Sequence, residues 1–224
     1  MTAHDSVGSI VLYTYHRSSP SQRVRIALNL KGLKPEYRFV DLFDGDGAHN
    51  TEAYRRVNPQ GVLPSLIHDG RTIGQSLAII EYLDEIVPKP PLLPQEPWAR
   101  ARVRRIAQIV ACDMHPVNSL RVAKYLRKEH GLDDAAYARW WSRWTANGFA
   151  AIEALLAESP DTGRFCHGGA PTIADVCVVP AVDLATASKF DLSAYPTVRR
   201  VAAEASALPA FLAAKPENQP DAKR

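Results

Sequence analysis

The sequence predicts two domains of different class, a small α/β domain over residues 9–87 and an all-helical domain over residues 98–221. Three observations carry this. Up to about Val87, short runs rich in β-branched and aromatic residues alternate with helix-start signals. Residues 88–97 (PKPPLLPQEP) hold five prolines, the composition of a stiff, extended linker. From Trp98 onward the apolar residues recur with helical period.

Ser9 to Tyr15 (SIVLYTY) has the length and composition of a strand. Ser18-Ser19-Pro20-Ser21-Gln22 then starts a helix: Ser19 stands as N-cap, Pro20 at the first helical position, and Gln22 completes a capping box. The helix Ser21 to Lys31 puts Val24, Ala27, Leu28 and Lys31 on one stripe and stops at Gly32. Glu36 to Leu42 alternates as a second strand, Asp44 to His49 is a loop, and a short helix ends near Val57. Asn58-Pro59-Gln60-Gly61 is a turn. Leu63-Pro64 is a candidate cis bond, since a proline entering a strand must sit where no ladder donor is needed. Asp69-Gly70 is the hairpin turn between Ser65–His68 and Arg71–Ile73. Gln75-Ser76 opens a helix with Leu77, Ile80, Leu83 and Asp84 at helical spacing. The order βαβαββα is that of a thioredoxin-like domain.

In the second half, Trp98 to about Lys128 is a long helix bent at Pro116, and Asp134 to Leu156 is another. Thr172-Ile173-Ala174-Asp175 is a capping box opening a very apolar, buried helix. Shorter helices follow at Val198–Ala207 and Pro209–Lys215. Arg100, Arg102, Arg104 and Arg105 are expected on a solvated helix face.

Composition narrows function. The chain has 224 residues and a net charge of +3. That balance is too slight for a nucleic-acid face and compatible with a small anionic substrate. No apolar run approaches the ~18 residues of a membrane span, so no membrane partner is expected. The first ten residues lack the basic start and apolar core of a signal peptide. Cys112, Cys166 and Cys177 are odd in number and lack a CxxC pair. They predict neither a disulfide framework nor a metal site, and a reducing cytoplasm.

Tyr13 to Leu30 (YTYHRSSPSQRVRIALNL) resembles the serine-rich signature of zeta-class glutathione transferases. Asn58-Pro59-Gln60, Val62-Leu63-Pro64, Gln75 to Leu83, Leu92-Leu93-Pro94, Cys112 to Pro116, Thr172 to Asp175 and Asn218 to Asp221 are similar to that class as well. The resemblance runs from about residue 10 to 221. It implies the glutathione transferase fold, glutathione as cofactor, a homodimer, and glutathione-dependent cis–trans isomerisation of maleylacetoacetate or a similar maleyl keto acid in aromatic (Tyr/Phe) catabolism.

The resemblance also implies a site. Glutathione must be held as thiolate, because a free thiol with pKa near ~8.5 is mostly protonated at neutrality. A hydroxyl donor and the positive end of a helix both lower that pKa. Ser18 is the expected donor, with Ser19 as helix cap or alternative donor. Val62-Leu63-Pro64 presents backbone to the cysteinyl unit, as an added strand would. Gln75-Ser76, at a helix start, holds the γ-glutamyl carboxylate, ordinary capping being the alternative. His49 contacts the glycyl end. Arg17, His115 and Arg121 hold the carboxylates of the substrate.

Two departures from the class pattern stand out. Pro20 replaces a common cysteine. An arginine usual near the end of the helix after Val179-Pro180 aligns with Ala187, Lys189 being the nearby cation. A lost guanidinium removes roughly 1.5–3 kcal/mol of charge-assisted contact. Transfer of glutathione to α-halo acids therefore remains a rival activity, and a non-catalytic interaction module a rival of another kind.

Overall fold

The computed structural model describes residues 7–45 and 47–223. Residues 1–6, at the start of the segment without signal-peptide character, and Asp46 of the 44–49 loop lie outside the described residues. The chain divides into two compact units: one runs to Leu92 and takes back the tail from Ser206, and the other is Leu93–Ala205. Residues 206–221, which the sequence places with the helical domain, thus cluster with the α/β elements.

In the first unit the elements are β1 (Ile10–Thr14), α1 (Ser19–Leu30), β2 (Glu36–Phe39), α2 (Glu52–Val57), β3 (Ser65–His68), β4 (Arg71–Gly74) and α3 (Ser76–Ile86). This is the predicted βαβαββα order. The sheet runs β2-β1-β3-β4, with β1 parallel to β2 and antiparallel to β3, and β3 antiparallel to β4. Leu12 pairs with Leu66 at the centre, both fully buried. The Asp69-Gly70 turn has φ of 47° and 75°, the pair of positive values that suits a tight hairpin.

Helix α1 packs against α3 and is buried almost all round. Its apolar stripe is the expected one, Lys31 included: the Lys31 ammonium is buried against Asp84 Oδ1 at 2.6 Å. Arg23 and Arg25 are also buried, which periodicity alone does not foresee. Each long polar side chain is tolerated inside because its head finds acceptors there.

The second unit holds α4 (Pro97–Gln108), a π-helical segment (Ile109–Met114), α5 (His115–Val117), α6 (Leu120–His130), α7 (Asp134–Ala157), α8 (Ile173–Ala187) and α9 (Pro196–Ser206). The expected single helix from Trp98 to Lys128 is therefore broken. Pro116 has no N–H and its ring crowds the carbonyl four residues back. The turn before it widens, and the His115 N–H reaches back five residues to Val110 O. The chain then breaks again at Asn118–Ser119 before α6 starts. Gly148 of α7 lets the π segment approach, since the Met114 side chain fills the space a Cβ would take.

Arg102 is a second correction. It is not on a solvated face: it donates to Cys166 O at 2.8 Å, Leu155 O at 3.2 Å and Thr162 Oγ1 at 2.8 Å, tying α4 to the end of α7 and the loop before α8. The α8 capping box forms as expected, and the helix is buried from Ile173 to Pro180. Among the described residues, no helix is long and apolar enough to cross a membrane. The tail adds a short α10 (Pro209–Leu212), which packs on α1 within the first unit.

Candidate active site

The sheet register gathers the candidate segments of the first unit. Ser65, the first residue of β3, pairs with Tyr13 on one side and Gly74 on the other. Val40, just past β2, donates to Thr14 O at 2.9 Å. One end of the sheet therefore carries four chain segments: the β1 exit to Ser18, the Val62-Leu63-Pro64 entry to β3, the β4 exit to Gln75-Ser76, and the β2 exit to the His49 loop. Beneath them lies an apolar cluster of Tyr15, Val40, Tyr54 and Leu63.

Ser18, not Ser19, is the N-cap of α1. Its side-chain oxygen accepts from Ser21 N at 3.3 Å, and its carbonyl accepts from Gln22 N at 2.9 Å, which brings Ser19 into the helix. Pro20 is tolerated one position further in because the amides of the whole first turn lack intrahelical partners. Gln22 is thereby one residue too late to close a capping box. Both serines are buried, Ser18 at 9% and Ser19 at 8% exposure. The Ser18 hydroxyl accepts one bond and carries a proton of its own to donate. The first turn of α1 contains no acidic residue, so its positive end is not neutralised from within.

The Leu63-Pro64 bond is cis, as the sequence suggested. The ladder with β1 begins at Ser65, so Val62 and Leu63 stand beyond the last paired residue. Val62 is held by side chains. Val62 O accepts from Tyr54 Oη at 2.8 Å and Asn58 Nδ2 at 2.9 Å, and both groups also bond Ser65 Oγ, at 2.9 and 3.0 Å. Burial pushes the Tyr54 hydroxyl up, which keeps it a neutral donor. Tyr54 and Asn58 had no assigned role from sequence. The only signal was an asparagine opening a turn ahead of two apolar residues and a proline.

Gln75 precedes α3 with φ 65° and ψ 116°, a strained conformation for a residue other than glycine. Its side chain makes no capping bond and instead donates to Gln60 Oε1 at 2.8 Å. Ordinary side-chain capping, the alternative reading of Gln75, is thus not what it does. Ser76, the first helical residue, is buried, and its Oγ accepts from Arg23 Nη1 at 3.3 Å.

Arg17 is exposed, with its guanidinium 5.5 Å from the centre of the Phe43 ring. Burial, more than the nearby Asp41, pushes the Tyr15 hydroxyl up. His49 lies half-buried in a 3-10 turn, Ala48–Asn50, rather than in an open loop. His115 and Arg121 belong to the second unit and sit on separate helices, α5 and α6, with Arg121 exposed. Ala187 is the last residue of α8 and exposed. Lys189, two residues on, has φ 57° where the chain turns out of that helix.

Comparison with known proteins gives the family. Residues 12–91 match the glutathione S-transferase N-terminal domain and residues 134–204 its C-terminal domain. A maleylpyruvate isomerase of Ralstonia sp. is 46% identical over 94% of this chain and 98% of its own. A maleyl pyruvate isomerase structure, described as a bacterial glutathione S-transferase of the zeta class, superposes with TM-score 0.91 at 46% identity, covering 94% of this chain and 99% of that one. The maleylacetoacetate isomerase of Methylobacterium extorquens, with bound malonate and GSH, gives TM-score 0.90 at 41% identity over 94% and 98% of the two chains. With its thioredoxin-like unit, its helical unit and these likenesses spanning nearly its whole length, the chain belongs to the zeta class of the glutathione S-transferase family.

Proposed function

We propose that this chain is a glutathione-dependent cis–trans isomerase of maleylacetoacetate or a similar maleyl keto acid. The observation that carries the reading is Ser18: a buried hydroxyl at the start of a 12-residue helix, its oxygen already accepting one amide and its proton free to point at an anion. The donor set around it fits a tripeptide thiol. Ser18 and the α1 N-terminus suit the sulfur. The backbone of Val62 and Leu63, beyond the sheet ladder, suits an extended cysteinyl unit. Gln75 and Ser76, at the α3 N-terminus with the Arg23 cation behind, suit the γ-glutamyl carboxylate. His49 serves the glycyl end.

When bound, glutathione supplies a sulfur nucleophile whose reversible addition to the maleyl double bond leaves a single bond free to rotate. The protein's part is electrostatic. Ser18 donates to the sulfur and holds it ionised, with Ser19 at the same helix start. Arg17, one residue before the donor, stabilises negative charge on the substrate. His115 and Arg121 are assigned to its carboxylates by resemblance to the class. Glutathione binding is then the role of the unit read from sequence at 9–87, joined through the linker 88–97 to a substrate-binding unit that starts at 98, while the tail from Ser206 clusters with the glutathione-binding unit.

The active form is a homodimer, as in the class it resembles. Three cysteines without disulfide partners and dependence on a free thiol suit the cytoplasm. The test is direct: purified protein with glutathione and maleylacetoacetate or maleylpyruvate should remove the cis substrate while total glutathione stays constant. A rate that does not depend on glutathione overturns the proposal, and net loss of glutathione with halide release from α-halo acids favours the transferase reading instead.

A further inference from the structure

Helix α1, strand β1 and the tail meet at the backbone of Tyr15 and His16, the two residues that lead into Arg17 and Ser18. The Arg25 guanidinium, 1% exposed, donates to Thr14 Oγ1 at 2.9 Å, Tyr15 O at 3.2 Å and His16 O at 3.1 Å. It also donates to Ala214 O in the tail, at 3.1 and 3.3 Å. From the tail's other end, Asp221 Oδ2 accepts the His16 N–H at 2.8 Å and lies 3.4 Å from His16 Nδ1. Both polar faces of His16, its N–H and its C=O, are thereby fixed from residues more than 190 positions later in the chain or through the arginine they share with it.

The tail is built to hold this grip. Phe211 and Ala214 are buried, and Gln219 Nε2 closes the tail on itself through Ala213 O at 2.8 Å and Lys215 O at 2.9 Å. Asn29 of α1 binds Ala210 O at 2.8 Å. Asp221 itself is buried.

We propose that Asp221 is a positioning residue for the thiolate donor: by fixing the His16 amide it sets where the Ser18 hydroxyl points. The proposal rests on the reading of Ser18 as that donor. Its chain of contact is short, His16 N to Asp221 on one side and Ser18 N to Tyr15 O at 3.0 Å on the other, so a shift of the tail moves the turn that presents Ser18.

The experiment compares the full-length chain with S18A, D221A and D221N. The acidity of bound glutathione is read by ultraviolet titration of the thiolate, kcat and KM by the isomerase assay, and folding by thermal melting. The D221A substitution should move the bound-thiol acidity back towards that of free glutathione and lower kcat on the order of 10–100-fold, the scale of a small misplacement of a reacting group. KM for the maleyl substrate should hold. D221N, which keeps an oxygen for the His16 amide, should restore at least half of both effects. If D221A lowers the melting temperature yet leaves bound-thiol acidity and kcat of the folded protein unchanged, the tail is only structural and the proposal is overturned. If D221A does not fold, D221E, which keeps the charge but lengthens the reach, carries the same expectation and the same overturning result. Failure of the underlying reading looks different: S18A would then leave the bound-thiol acidity untouched, whatever position 221 does.

Discussion

The starts of α1 and α8 look alike in sequence, a serine or threonine followed three residues later by a polar side chain, and they do opposite things. At α8 the cap is saturated. Asp175 accepts from Thr172 N and Cys166 N at 2.8 Å each and from Thr172 Oγ1 at 3.0 Å, and it is 1% exposed. A carboxyl group in the first turn offsets the helix's positive end from inside the protein. At α1 the cap is a single 3.3 Å bond, the box does not close, and the first turn has no carboxylate. One helix start is complete as it stands; the other is left with positive potential and a hydroxyl proton for something that comes from outside. The difference separates a helix start that holds the fold from one that binds an anion.

That contrast can be broken at either end. The largest effect is expected at α8. D175A leaves two buried amides and a hydroxyl without their acceptor, and should destabilise the protein by about 3–5 kcal/mol in urea unfolding. Cys166 reports the same event. Burial beside Asp175 pushes its thiol well up, so it should stay protonated and unreactive to a disulfide reagent at pH 8, while exposed Cys112 reacts. In D175A the Cys166 thiol should become reactive. A stability loss under about 1 kcal/mol would show that the closed cap contributes little beyond an ordinary one.

At α1 the order of effects reverses. S18A should cost only about 1 kcal/mol of stability, the usual value of a serine cap, whereas kcat/KM should fall about 10²–10³-fold, as for removal of one aimed donor. If stability falls by more than activity does, Ser18 is a cap like Thr172 and the contrast disappears.

The smallest effect comes from making α1 resemble α8. P20E introduces a carboxylate into the first turn and should add about 0.3–1 kcal/mol of helix stabilisation at low salt. It should also weaken glutathione binding and raise the pKa of the bound thiol towards that of the free one. Unchanged binding would mean that the helix's positive end plays no part in holding the sulfur.

Local chemistry made much of this legible in advance. The alternation expected over Glu36 to Leu42, the Asp69-Gly70 turn, the proline at the mouth of β3 and the Thr172–Asp175 box each depend on neighbours within a few residues, and each is found, the strand stopping at Phe39. The break before α6 was half legible: Pro116 announces a bend, but not that the six residues Ile109–Met114 ahead of it would widen into π geometry with Met114 seated on Gly148. The choice between Ser18 and Ser19 was not legible, since either can cap and Pro20 is acceptable one residue further in.

What the sequence determined by itself is the inventory: which segments are strands or helices, where they turn, and that a serine pair stands at a helix start in a zeta-class signature. What only the tertiary structure decided is which of those groups share a site and which charges lie inside. Arg25 and Asp221 are of charged types seldom buried unless paired, and both are buried, because the tail folds back to the β1 exit and brings acceptors and donors there. A pairing across more than 190 residues depends on the register of the whole unit, and no local preference along the chain encodes it.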